Sequence, residues 1–127
     1  MAAVAYLDTH VVAWLFGGFV DLLSGEARQA IEEHDVLVSP MVVLELEYLL
    51  ETKRVTQPPE VVLGALQSDI GLSVCDEPFP AVARLAVAQS WTRDPFDRLI
   101  VAQAALRGAP LVTKDRFMRR HYDKALW

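Results

Sequence analysis

Four short apolar runs, "VAYL", "DVLVS", "LSVC" and "PLVT", alternate with longer segments whose apolar residues recur at helical spacing. Strands that read as continuous apolar runs are buried on both faces, and strands joined through helices run parallel. The chain is therefore predicted to be α/β, a three-layer α/β/α arrangement around a central parallel sheet of four or five short strands. Its 127 residues suit one domain over 1–127, which would bury roughly two-thirds of the surface exposed by the unfolded chain.

The punctuation between the runs supports this reading. A helix from Thr9 through "HVVAWLF" should stop at Gly17-Gly18, and Ser24 should cap "GEARQAIEEH". Ser39 followed by Pro40 starts "PMVVLELEYLLETKR", because Ser accepts an orphan amide and Pro has none to leave orphaned. Further helices are expected over "EVVLGALQSDI", ending at Gly71, over "AVARLAVAQSW", and from "DPFD" to about Arg107. The tail "KDRFMRRHYDKALW" should hold a short helix and a last edge strand.

In open parallel sheets, ligands bind beyond the carboxyl ends of the strands. Asp8 closes "VAYLD" and Asp115 closes "PLVTKD", so both carboxylates should stand at that edge, each also able to cap the following helix. Thr9 could cap the first helix and leave Asp8 free. Glu45 is the odder residue, because its helical neighbours Met41, Val42, Tyr48 and Leu49 are apolar, whereas Glu47, Glu51 and Arg54 form a polar stripe. A half-buried carboxylate must be neutral, paired with a cation or bound to a metal. With Asp8, Asp115 and an aspartate of "DPFD" on the same edge, a hard divalent cation such as Mg²⁺ is the preferred remedy for their repulsion. In "RDPFD", Asp94 stands as the helix cap, Pro95 at the first helical position, and Asp97 at the third, where a capping-box acid would reach back.

Several chemistries are disfavoured. His10, His34 and His121 show no zinc-ligand spacing with each other or with Cys75, and there is neither a phosphate-cradling glycine loop nor a nucleophile elbow. Cys75 is expected to be a small buried side chain, and Trp14, Trp91 and Trp127 core or interface residues. The apolar opening lacks a basic leader and carries Asp8 and His10, so no membrane span and a cytoplasmic location are expected. The net charge of -5 conceals an asymmetry: residues 1–83 hold 13 acids and 3 bases (-10), while residues 84–127 hold 4 acids and 9 bases (+5). That basic final third permits a nucleic-acid partner.

Four stretches, "YLDTH", "SPMVVLELEYLL", "DPFDRLIVAQAALRG" and "LVTKDRFM", follow one another from residue 6 to residue 118 in an order and spacing that resemble PIN-domain ribonucleases of the VapC toxin type. The resemblance implies a PIN-like fold in which Asp8, Glu45, Asp97 and Asp115 are the acidic catalytic and metal-holding residues. Asp97 is preferred over Asp94 because it directly precedes "RLIVAQA"; many relatives have one aspartate there, and the second places Asp94 in a supporting role. Thr9 and Thr113 match small hydroxyl positions beside the site. The resemblance further implies Mg²⁺ or Mn²⁺ as cofactor, RNA as substrate, a homodimer, and a cognate antitoxin that holds the toxin inactive. Arg98, Lys114, Arg116 and Arg119 are candidates for the RNA backbone.

Two other classes of function compete with an endoribonuclease. A non-catalytic metal- or RNA-binding module would keep the acidic pocket without turnover, and a receiver-like or phosphatase-like domain would accept a phosphoryl group on Asp8. Retention of all four acidic positions speaks against the first, and the spacing of the later motifs against the second.

Overall fold

The computed structural model describes residues 3–127. Strands β1 (Val4–Leu7), β2 (Asp35–Val38), β3 (Ser73–Val74), β4 (Leu111–Val112) and β5 (Ala125–Leu126) form one sheet in the order β3-β2-β1-β4-β5. Every pairing is parallel. Seven helices connect and cover it: α1 (Thr9–Gly17), α2 (Gly25–Glu33), α3 (Pro40–Glu51), α4 (Pro59–Ile70), α5 (Phe79–Val87), α6 (Pro95–Leu106) and α7 (Arg116–His121). This is the three-layer α/β/α architecture expected from the alternation of strands and helices.

The central strand is the most deeply buried, with Ala5, Tyr6 and Leu7 all within the core. From β1 the chain adds β2 and β3 on one side, then crosses back to add β4 and β5 on the other. The order thus reverses between β1 and β4, and such a switch point leaves a crevice beyond the strand ends. The register Leu7 with Val112 puts Asp8 beside Thr113 at this crevice, and the Asp8 N–H donates to the Val112 carbonyl at 3.1 Å.

Local chemistry sets most helix boundaries. Ser24 Oγ accepts from Ala27 N–H at 3.0 Å, and Ser39 Oγ accepts from Met41 N–H at 3.1 Å with Pro40 opening α3. Helix α1 ends where Gly18 takes φ 76°, a left-handed conformation that costs glycine little.

Two helices are shorter than their apolar periodicity suggested. Helix α3 stops at Glu51 rather than Arg54, because Lys53 turns to φ 63° and Arg54 N–H closes back onto the Leu49 carbonyl at 2.8 Å. Arg54 therefore leaves the stripe with Glu47 and Glu51. Helix α5 begins at Phe79 and stops at Val87, short of Trp91. There the contacts of Trp91 override helical periodicity: its Nε1–H makes a local bond to Gln89 Oε1 at 2.7 Å, and its ring makes a tertiary stack on His121 of α7 at 5.2 Å between centroids.

Cys75 is buried, as expected, and has polar company. The Tyr6 hydroxyl lies 3.0 Å from its sulfur, and Gln103 Nε2–H donates to the same sulfur at 3.3 Å. Among the described residues, no helix is long and apolar enough to cross a membrane.

Candidate active site

Asp8 leaves the central strand and immediately caps α1, with Oδ1 accepting the Thr9 N–H at 2.8 Å. Asp8 itself is therefore the cap, in place of Thr9, because the strand delivers its carboxylate to the first helical amide. Its other oxygen accepts the Thr113 hydroxyl at 2.7 Å, and the side chain is almost fully buried. A buried carboxylate keeps its charge at tolerable cost only when such donors surround it. Thr9, released from capping, donates its hydroxyl to Glu45 Oε1.

Glu45 is held on α3 between buried Val42 and buried Leu46, and is itself half-buried. Burial pushes its carboxyl above the usual range, the Thr9 hydrogen bond opposes this, and the charges of Asp8 and Asp94 push the same way as burial.

The paired aspartates of "DPFD" separate in space. Asp94 caps α6, its Oδ1 accepting from Phe96 N–H at 2.8 Å and Asp97 N–H at 3.3 Å. The expected reach-back from Asp97 does not form, because the Asp94 N–H donates instead to Thr92 Oγ1 at 3.2 Å. Asp97 is thereby free to face the crevice, and its carboxyl is pushed up to about 7. Burial is the largest cause, followed by the negative charges of Asp94, Asp8, Asp115 and Glu45.

Asp115 caps α7 with a single oxygen, Oδ1 accepting from Phe117 N–H at 2.8 Å and Met118 N–H at 3.0 Å. Its own N–H donates to Thr113 Oγ1 at 3.0 Å, so one threonine ties together the ends of β1 and β4. Asp8 and Asp115 each spend one oxygen on a helix N-terminus, so capping and ligation are compatible roles for both.

These residues meet in an open cleft of about 200 Å³ lined by Asp8, Thr9, His10, Glu45, Leu49, Asp97 and Asp115. Asp94 is outside this lining and acts on it through its charge. An all-carboxylate donor set, two of whose members, Glu45 and Asp97, have their carboxyls pushed up by burial and by neighbouring negative charge, fits a hard cation that takes oxygen ligands. Among the described residues, no three carboxylate, imidazole or thiol groups stand in a ready-made ligand arrangement.

The basic candidates divide. Lys114 and Arg116 border Asp115 on the chain, Arg116 exposed on the first turn of α7, and Arg119, one turn on, is joined to Lys114, its Nη2–H donating to the Lys114 carbonyl at 3.1 Å. Arg98 lies elsewhere: its Nε–H donates to the Thr92 carbonyl at 2.7 Å and its side chain lines a shallow apolar hollow with Phe79 and Val87. The local need to pin the loop before α6 uses this arginine. His10 and Leu49 were not singled out by sequence; their signal was position, His10 in the first helical turn after Asp8 and Leu49 one turn beyond Glu45.

A family model described as PIN domain matches residues 5–124. Ribonuclease VapC22 from Mycobacterium tuberculosis is 40% identical over 124 residues, covering 91% of this chain and 89% of that protein. VapBC2 from Rickettsia felis, solved bound to a DNA fragment from its promoter, superposes with a TM-score of 0.68 at 17% identity, over 98% of this chain and 97% of that one. A toxin-antitoxin complex from Klebsiella pneumoniae gives the same TM-score at 20% identity, over 97% and 96% of the two chains. The chain belongs to the PIN-domain family. Its 40% identity to Ribonuclease VapC22 sets it beside the VapC-type members.

Proposed function

We propose that this chain, one domain over residues 1–127, is a divalent-metal-dependent endoribonuclease that acts as the toxin of a toxin-antitoxin pair. The observation that carries the reading is the convergence of Asp8, Glu45, Asp97 and Asp115, from four separate elements, on one cleft at the topological switch point. Membership of the PIN-domain family and identity to a protein named as a ribonuclease supply the reaction class.

Each residue has a distinct part. Asp8, held by Thr9 N–H and Thr113 Oγ1–H, is the fixed carboxylate of the set, and Thr9 orients Glu45 in the same way. Asp97, with its raised affinity for a proton, is the carboxylate best able to give up a proton as a cation arrives or to accept one from a water in the cleft. Asp94 shapes the turn that presents Asp97 and adds its charge from outside. Mg²⁺ or Mn²⁺ held by Asp8, Glu45, Asp97 and Asp115 would supply Lewis-acid activation of water and neutralise charge on the scissile phosphate. Lys114, Arg116 and Arg119, beside the cleft, would take the RNA backbone.

The structural relative from Klebsiella pneumoniae was solved as a toxin-antitoxin complex, and by analogy this chain pairs with an antitoxin; a homodimer and a cytoplasmic location belong to the same reading. Induced expression in a bacterial host tests this reading. Growth should arrest with accumulation of internally cut RNA, and Asp8→Asn should relieve both. Arrest that survives Asp8→Asn would overturn it.

A further inference from the structure

We infer that His10 is a positioning residue for Asp8, fixed as the Nδ1–H tautomer by the backbone of the β4–α7 loop. The inference rests on the metal-dependent reading of the acidic cleft and adds to it a residue outside the carboxylate set. The Lys114 backbone N–H lies 3.0 Å from His10 Nε2, and a backbone amide can only donate. Nε2 must then be the accepting nitrogen, which leaves the ring proton on Nδ1. Nδ1 lies 3.4 Å from Asp8 Oδ2, the oxygen that also receives the Thr113 hydroxyl. Asp8 Oδ2 therefore accepts the Thr113 hydroxyl from just past β4 and has the protonated ring nitrogen of His10, on α1, within 3.4 Å.

Packing holds the ring in this orientation. The Trp14 ring meets it edge to face at 5.0 Å between centroids and Trp127 does so at 6.2 Å, while the two indoles are 5.9 Å apart. The Lys114 ammonium sits 5.8 Å from the centroid of Trp14, so the residue that fixes the tautomer through its backbone also caps the aromatic cluster through its side chain. His10 lines both the acidic cleft and the neighbouring apolar groove of Trp14 and Phe19. A carboxylate that must meet a cation in one orientation gains from such outer contacts, whose loss commonly weakens metal binding by about 10- to 100-fold.

Two substitutions separate the contacts. The amide nitrogen of the replacement in His10→Asn can occupy the place of Nδ1 and keep a donor towards Asp8. The longer side chain in His10→Gln reaches the place of Nε2, keeping a partner for Lys114 and losing the donor at Asp8.

Long-range ¹H–¹⁵N spectra of the metal-free protein should show His10 as the Nδ1–H tautomer. Calorimetric titration with Mg²⁺ alone should show His10→Gln weakened by about 10-fold, with a thermal midpoint near that of the parent, and His10→Asn close to the parent. A ring protonated on Nε2, or parent-like Mg²⁺ affinity in His10→Gln, would overturn the inference. Parent protein that binds neither Mg²⁺ nor, in the same titration repeated with it, Mn²⁺ would overturn both this inference and the metal-dependent reading, whereas parent binding of either ion with an unimpaired His10→Gln overturns this one alone.

Discussion

The Thr113 hydroxyl donates to Asp8 Oδ2 at 2.7 Å, joining the ends of β1 and β4 across the switch point of the sheet. Thr113 is fully buried, and its Oγ1 also accepts the Asp115 N–H, so one hydroxyl fixes two of the four acidic residues.

Thr113→Val keeps the shape of this side chain and removes the hydroxyl. The loss of a hydrogen bond to a buried charge is expected to cost about 1.5–3 kcal/mol, measured by urea unfolding at neutral pH. A change within experimental error would show that Asp8 is satisfied without it.

The two aspartates of "DPFD" should respond differently to the same chemical change. Asp94→Asn retains a good N-cap, so a stability loss of ~1 kcal/mol or less is expected and cleavage should persist. Asp97→Asn should abolish cleavage while the fold is retained, as judged by circular dichroism. The reverse pattern would exchange their roles.

Stability of the metal-free protein should depend on pH through Asp97. Its folded carboxyl is pushed up to about 7, first by burial and then by the surrounding carboxylates. The unfolded chain releases that proton near pH ~4, so between about pH 4 and 7 the folded state holds more protons than the unfolded one, and stability falls as pH rises. Glu45 is shifted in the same direction and adds the same sign. Thermal midpoints should therefore decline from pH 5 to pH 7.5, and Asp97→Asn should flatten that decline. Added Mg²⁺ should reverse it at pH 7.5, because the ion takes the ionised form.

Binding of RNA should depend on salt through a defined subset of bases. In an Asp8→Asn background, Lys114→Ala, Arg116→Ala and Arg119→Ala should each reduce the slope of log affinity against log salt by about 0.7 per lost phosphate contact. Arg98→Ala should leave the slope unchanged, since its guanidinium is engaged with the Thr92 carbonyl. An equal effect at Arg98 would place the RNA path across α6.

The sequence made the layers legible because burial on both faces leaves a continuous apolar run, and the helix starts legible because Ser24, Ser39 and Asp94 cap through their own side chains. Helix ends were less so. Periodicity carried "AVARLAVAQSW" through to Trp91, but the stack of Trp91 on His121 is a contact 30 residues away that no local pattern records. Asp8 and Asp115 could be singled out from strand ends and Glu45 from its apolar surroundings, whereas the choice of Asp97 over Asp94 came from the family resemblance, and the partners that orient all four could not be read at all. Thr9 reaching Glu45, Thr92 displacing Asp97 from its capping box, and Lys114 meeting His10 all depend on how elements pack together.

The most direct measurement is cleavage of an end-labelled RNA by the purified protein, with Mg²⁺ or Mn²⁺ and with excess chelator. Internal cuts that require the metal, disappear with chelator, return on readdition, and are absent in Asp8→Asn are the expected result. RNA that is bound but left intact in the presence of metal, or cut equally well by Asp8→Asn, would contradict a catalytic acidic centre and leave a binding module in its place.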